Sequence, residues 1–379
     1  MVSEKIVNNS LLSAQKSSWD IFVRISSSKN IGSAYLISGP KGSGKEGLAI
    51  KFAQLLNCSS SDIEICYTCE SCIRFKNLQH ERLNIIVPLP APKNNKTDDN
   101  SNHYIPDDYI DAIKKKSLDP FYKITIPKAN RILINSIRGL RKTLYFNQDE
   151  NNGRNIVIIF DSELLCFGQG ESGNALLKVL EEPPDHTTLI LVTDYKKMLF
   201  QTIVSRCQTV NIPGLPNDFV FDWLMNRNIE KKDANLLVSI SRGNLHQARS
   251  LSEHPVNTII NIIEKLSNTL INNNPQQWRS FTDYYSRLSG SDQQKFIYHL
   301  NLISLWFKSV LLNRQGLNSD FDNTTLHPQI VSFNQNYPRA NVYEIILSIE
   351  DVMRSISQNL YMPLILINLI LDIQKHLDE

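Results

Sequence analysis

Four cysteines, Cys58, Cys66, Cys69 and Cys72, fall in the pattern C-x7-C-x2-C-x2-C. Four thiolates at that spacing can close a tetrahedron around Zn²⁺, and with every position filled by protein none is left for water, so the metal would be structural. A second constellation precedes it: GPKGSGKE at residues 39–46 places Gly39, Gly42 and Gly44 ahead of Lys45. Backbone N–H groups of such a loop turn toward a phosphate, the helix dipole behind it favours an anion, and the lysine reaches the outer phosphates. The pattern asks next for a Ser or Thr whose hydroxyl holds Mg²⁺, and Glu46 stands there instead. A carboxylate in that place repels a triphosphate unless it turns outward or grips the metal itself. Further on, an apolar run ends in Asp161, a carboxylate suited to holding Mg²⁺ through water.

These groups need a scaffold. Residues 34–58 read as strand, Gly-rich loop and helix, and residues 156–160 as a second buried strand leading to Asp161. In residues 174–207, Ala175, Leu176, Val179 and Leu180 recur at helical spacing until Pro183 and Pro184 stop the helix. Residues 188–193 then make a β-branched and leucine strand, and 198–203 a short helical face. A parallel strand ending in Thr193 sets a hydroxyl at the carboxyl edge of a sheet, where α/β folds bind ligands, and Arg206 follows near the rim. After Asp161 comes Ser162, and Glu163 points away from the site if the strand continues.

The bulk properties narrow the class. A chain of 379 residues, 41% hydrophobic and 21% charged, is long enough for two or three globular domains. A formal charge of +2 argues against a protein whose own field drives nucleic-acid binding. The start carries no basic stretch followed by an apolar run, and the apolar run at 364–371 is too short to span a bilayer, so a cytoplasmic protein with reduced cysteines and no membrane partner is expected. A helix is expected before residue 31, a mobile surface loop at 88–103, a short helix within 104–126, and a helix at 132–144 bearing Arg138, Arg141 and Lys142, with Arg131 just before it. Beyond Pro216 the pattern is helical through the final pair, 342–356 and 360–377, with the polar stretch 315–338 read as a loop.

Together, ALLKVLEEPP, the strand ending in Thr, and SRC at 205–207 resemble the bacterial DNA polymerase III clamp loader ATPase subunits, the delta-prime and gamma/tau branch of the AAA+ superfamily. The resemblance implies an α/β P-loop AAA+ module with a parallel sheet and flanking helices over residues 1–213, carrying a zinc insertion at 58–72. It further implies an all-α lid at 214–252 and an all-α collar at 253–379, in which the segment with Asn359 and Pro363 resembles the collar's last turn and helix. Gly39, Gly42, Gly44, Lys45, Asp161 and Thr193 would line a nucleotide site for ATP and Mg²⁺, degraded by Glu46, by Ser162 in place of the base that polarises water, and by His246 where a sensor Arg is expected. Arg206 would act in trans as an arginine finger. These departures favour the delta-prime branch without independent ATPase activity, in a polymerase holoenzyme with gamma/tau and delta subunits, the sliding clamp and primed DNA as partners. The alternatives are a gamma/tau-type ATPase and a zinc-containing nucleic-acid binding or scaffold subunit.

Overall fold

The computed structural model describes residues 11–28, 30–90, 107–146, 153–253, 255–319, 321–322, 324–356 and 360–377. Most of the expected loop at 88–103 and Asn359 lie outside the described residues. The chain separates into two compact units, Met1–Val220 with Arg242–Gln247, and Phe221–Ser241 with Ala248–Glu379.

The first unit is built on five strands, β1 (Ala34–Ser38), β2 (Leu83–Ile86), β3 (Asn155–Ile159), β4 (Thr187–Thr193) and β5 (Gln208–Asn211). They lie in the order β2-β3-β4-β1-β5, with every pairing parallel. The central β1, β3 and β4 are buried along their whole length, which is why they read as unbroken apolar runs rather than alternating ones. Register pairs Ser38 with Thr193 and Ile159 with Leu191, so the chain leaves β1, β3 and β4 side by side on one edge. Gly39, Asp161 and Thr193 therefore share that edge.

Flanking helices cover the sheet and keep its strands dry. Ile137, Leu140 and Leu144 from the helix Ile134–Phe146, and Leu176 and Val179 from Glu171–Glu181, pack with Val157, Ile159, Leu189 and Leu191 of the sheet. Each such side chain contributes about 1.5–3 kcal/mol by leaving water. The helix after the Gly-rich loop, Lys45–Leu56, is buried on nearly all sides. Phe52 on it stacks on Phe22 of Lys16–Ser27 at 4.7 Å and meets Tyr35 of β1 edge-on at 5.3 Å.

Every secondary-structure element among the described residues of the second unit is a helix. Trp306 and Phe307 of the helix Gln293–Arg314 meet Phe333 edge-on at 5.5 and 5.9 Å. Phe333 lies on a helix, His327–Asn336, inside the stretch expected to be a loop. The polar composition hid a one-sided pattern: Ile330 and Phe333, three residues apart, are buried, and Pro328 sits in the first turn where its missing N–H costs nothing. The last helix, Met362–Leu377, buries Leu366, Leu369, Ile370 and Ile373. Its other side leaves Leu364, Ile367 and Leu371 exposed.

Candidate functional site

Gly42 and Gly44 adopt left-handed conformations at φ 68° and 81°, and Gly44 caps the helix that begins at Lys45. Space as well as φ demands glycine here. A Cβ on Gly44 would lie 2.6 Å from Leu11 and 2.9 Å from Phe121, and one on Gly42 would lie 2.1 Å from Asn244 Oδ1. The Leu245 N–H also donates to the Gly42 carbonyl at 3.2 Å. The protein's own residues thus lie against the loop on two sides.

Lys45 is buried, donates to the Pro40 carbonyl at 3.0 Å and pairs with Asp194. Glu46 neither turns outward to solvent nor stands free for a metal. It accepts from Lys116 at 2.5 Å and from Lys123 at 3.0 Å. Lys123 also bonds Asp161 and lies 3.8 Å from Asp194 Oδ2. Lys116 completes its shell with the carbonyls of Pro120 at 3.0 Å and Tyr122 at 2.6 Å. Lys45, Lys116 and Lys123 therefore balance Glu46, Asp161 and Asp194 in one connected cluster.

The charges reflect this arrangement. Burial alone would raise the Glu46 carboxyl, but Lys116 and Lys123 outweigh it and hold Glu46 well below the usual carboxylate range. Burial would lower the Lys123 ammonium, yet Glu46, Asp161 and Asp194 raise it far above its ordinary value. Lys116 is lowered by burial, which Glu46 offsets only in part.

Asp161 itself sits at φ 49°, and the chain turns there into a short 3₁₀ segment, Ser162–Cys166. The strand does not continue, so Glu163 is not carried away from the site as a continuing strand would require. It accepts from the Thr193 hydroxyl at 2.6 Å, and the Tyr195 N–H in turn donates to Thr193 Oγ1 at 3.0 Å. Asp161, Glu163 and Asp194 each place a carboxylate oxygen within 4.8 Å of the others. Burial raises the Glu163 carboxyl, with the Thr193 bond acting against it. His246 is lowered by burial, hence neutral near pH 7, and its Nε2 lies 2.9 Å from the Phe121 carbonyl, which only an N–H can face.

Arg206 follows the short helix Gln201–Val204 and is half-exposed. It donates to Glu181 at 2.7 Å and to the Thr202 carbonyl at 2.9 Å. With both side chains reached by water, the Glu181 pair is worth about 0–1 kcal/mol, little obstacle to a different partner. On the helix Ile134–Phe146, Arg138 is exposed while Ile137 and Leu140 face inward. The side chains of Arg141 and Lys142 lie outside the described residues.

Cys58, Cys66, Cys69 and Cys72 come together as predicted, with their sulfurs within 4.8 Å of one another and none in a disulfide. Cys66 and Cys72 are 3.8 Å apart, about the edge of a tetrahedron with Zn–S bonds of about 2.3 Å. The Cys69 N–H donates to Cys66 Sγ at 3.3 Å, and with Thr68 it lowers the Cys66 thiol to about 5, whereas burial raises the Cys72 thiol. The donor set fits zinc. Leu55 of the loop helix and Trp19 pack on the cluster, and Gln54 donates to the Cys72 carbonyl at 2.8 Å, which ties the metal module to the helix behind the Gly-rich loop.

Sequence reasoning missed Lys116, Lys123 and Asp194. Asp194 directly follows Thr193, a usable signal, but nothing in KKKSLDPFYK marks which lysine is buried.

Comparison with known proteins identifies the family. The family model described as "DNA polymerase III, delta subunit" matches residues 14–216, more than half of the chain. The tau subunit of Bacillus subtilis DNA polymerase III is 25% identical over 235 residues, 60% of this chain and 34% of that protein. The delta' subunit of the same organism is 25% identical over 221 residues, 58% of this chain and 54% of that protein. The gamma subunit of Buchnera aphidicola subsp. Schizaphis graminum is 24% identical over 321 residues, 82% and 76% of the two chains. The chain thus spans about a third and about half of the two Bacillus relatives. A gamma subunit-related protein of Thermotoga maritima superposes loosely, with a TM-score of 0.39 and 16% identity over 95% of this chain and 99% of that one. Among the described residues no helix is long and apolar enough to cross a membrane. The chain belongs to the DNA polymerase III delta subunit family.

Proposed function

We propose that this chain is a delta-prime-like subunit, which helps place a sliding clamp on primed DNA and supplies chemistry to a neighbour rather than hydrolysing ATP itself. One observation carries the reading: the position that should hold Mg²⁺ by a hydroxyl is Glu46, and its carboxylate is taken by Lys116 and Lys123. Arg206 is the group offered in trans. A guanidinium beside the γ-phosphoryl group of a neighbour's ATP stabilises charge growing there, an effect worth about 10³–10⁵ in rate in related NTPases. The zinc module acts structurally, bracing the helix behind the loop. The division of the helical part into a lid at 214–252 and a collar at 253–379 belongs to this reading, and the exposed Leu364, Ile367 and Leu371 suit a collar contact with gamma/tau or delta subunits.

A gamma/tau-type motor is the second reading, and one observation favours it: Glu163 turns back toward the site beside Thr193 and Asp161, where a carboxylate could orient water. Titrating the purified chain with labelled ATP and Mg²⁺ while following phosphate release separates the two. The delta-prime reading expects no steady release, and sustained turnover by the isolated chain would replace it with the motor.

A further inference from the structure

The two residues that a working phosphate loop turns toward its divalent cation are the one after the loop lysine and the carboxylate at the end of the neighbouring strand. In this chain they are Glu46 and Asp161, and a single ammonium bonds both. Lys123 Nζ is 3.0 Å from Glu46 Oε1, bonded to Asp161 Oδ1, and 3.8 Å from Asp194 Oδ2. Three donors on one charged nitrogen suit three carboxylates converging on one place.

The segment that carries Lys123 is held from several directions. Phe121 rests against Gly44, and its N–H donates to Asp119 Oδ1 at 2.9 Å. Its carbonyl meets His246 Nε2 at 2.9 Å, while Lys116 binds the carbonyls of Pro120 and Tyr122 on either side of it. The residues present do not fit Mg²⁺ with a nucleoside triphosphate. Lys45 is engaged by Asp194, Glu46 adds a negative charge where phosphates would come, and Leu11 and Phe121 cover Gly44.

We propose that Lys123 is a tethered stand-in for the divalent cation, holding Glu46, Asp161 and Asp194 together so that the loop edge of the sheet is complete without nucleotide. This rests on the reading of the chain as a subunit that does not hydrolyse ATP. Without the Lys123 charge, the three carboxylates face, among the described residues, the cations Lys45 and Lys116, and the place between Glu46 and Asp161 becomes one that Mg²⁺ can fill.

The test is thermal unfolding of the full, zinc-loaded chain with and without 10 mM MgCl₂, roughly a saturating level for a weak carboxylate site. Wild type is expected to show no Mg²⁺ response. Lys123→Met should melt about 5 °C or more lower and recover most of that in Mg²⁺, and Lys123→Arg should lose less and not respond. No loss in Lys123→Met, no recovery in Mg²⁺, or an equal Mg²⁺ response in wild type would each overturn the proposal. If Lys123→Met is insoluble, Asp161→Asn decides. It should melt lower with no recovery, a carboxylate ligand being gone, and either full stability or recovery in Mg²⁺ there overturns the idea. Phosphate release by wild type, followed separately, reports on the functional reading and leaves the Mg²⁺ result to speak for Lys123 alone.

Discussion

Replacing Glu46 by glutamine keeps the volume and removes the charge that two lysines share. Lys123 retains Asp161 and Asp194 as partners, so its loss is small. Lys116 loses most: its side chain is 1% accessible, and without Glu46 it keeps the carbonyls of Pro120 and Tyr122, the Phe160 ring face at 5.7 Å and the charge of Asp119. Removing one member of a buried pair costs about 3–5 kcal/mol, because the remaining charge is left in low dielectric. Lys116 keeps two carbonyl acceptors, so we take the low end, about 3 kcal/mol. That corresponds to a fall of about 6–12 °C in the melting temperature of a unit this size. Urea unfolding followed by circular dichroism should show it, and Glu46→Gln/Lys116→Met should regain at least half, since no lone charge remains. The sign with pH is fixed as well. A carboxyl held below its unfolded value of about 4.3 stabilises above that value and loses its contribution as pH falls through the folded one, so the gap between wild type and Glu46→Gln should start to narrow below about pH 4.3 and close only well below the usual carboxylate range. A Glu46→Gln variant within about 0.5 kcal/mol of wild type at pH 7 would refute the reasoning.

Two more expectations concern other parts of the chain. His299 of the second unit is buried, bonded to the Tyr285 hydroxyl at 2.8 Å, and lowered by burial to about 4, against about 6.5 when unfolded. Between those values the unfolded state takes up the proton first, so stability should fall by about 3 kcal/mol as pH drops through the window, and His299→Gln should flatten that slope in pH-dependent melts. Cys72→Ser should lower the bound zinc, measured by atomic absorption, from one per chain toward none. It should also speed proteolytic cleavage within residues 58–76, since a structural zinc site is a large part of its module's folding energy.

The sequence made the architecture legible where periodicity and punctuation agreed. Residues 188–193 had to be a buried strand, Pro183 and Pro184 had to end the helix before it, and the four cysteines had to meet. The helix at 327–336 escaped because its apolar residues are few and its polar ones many, so composition masked a buried stripe of Ile330 and Phe333. Where Glu163 points turned on whether the strand continues past Asp161, and the turn there, at a non-glycine residue in a left-handed conformation, has no composition signal. The lysine cluster was invisible for a different reason. Lys116 and Lys123 lie 70 and 77 residues from Glu46, and only the fold brings them to it. The replacement of Ser or Thr by Glu46 was plain in the sequence; what compensates it was not.

The decisive measurement is ATP turnover by a clamp loader reconstituted from this chain and its partner subunits, with Arg206→Ala against wild type. Arg206 is half-exposed and held by a weak surface pair with Glu181 and a bond to the Thr202 carbonyl, so the variant should assemble normally by gel filtration. DNA-stimulated turnover should fall by about tenfold or more, with the full finger effect, about 10³–10⁵, reached if one site limits the rate. Normal assembly with unchanged turnover would show that Arg206 is no finger, and the proposed division of labour between this chain and its neighbour would fall with it.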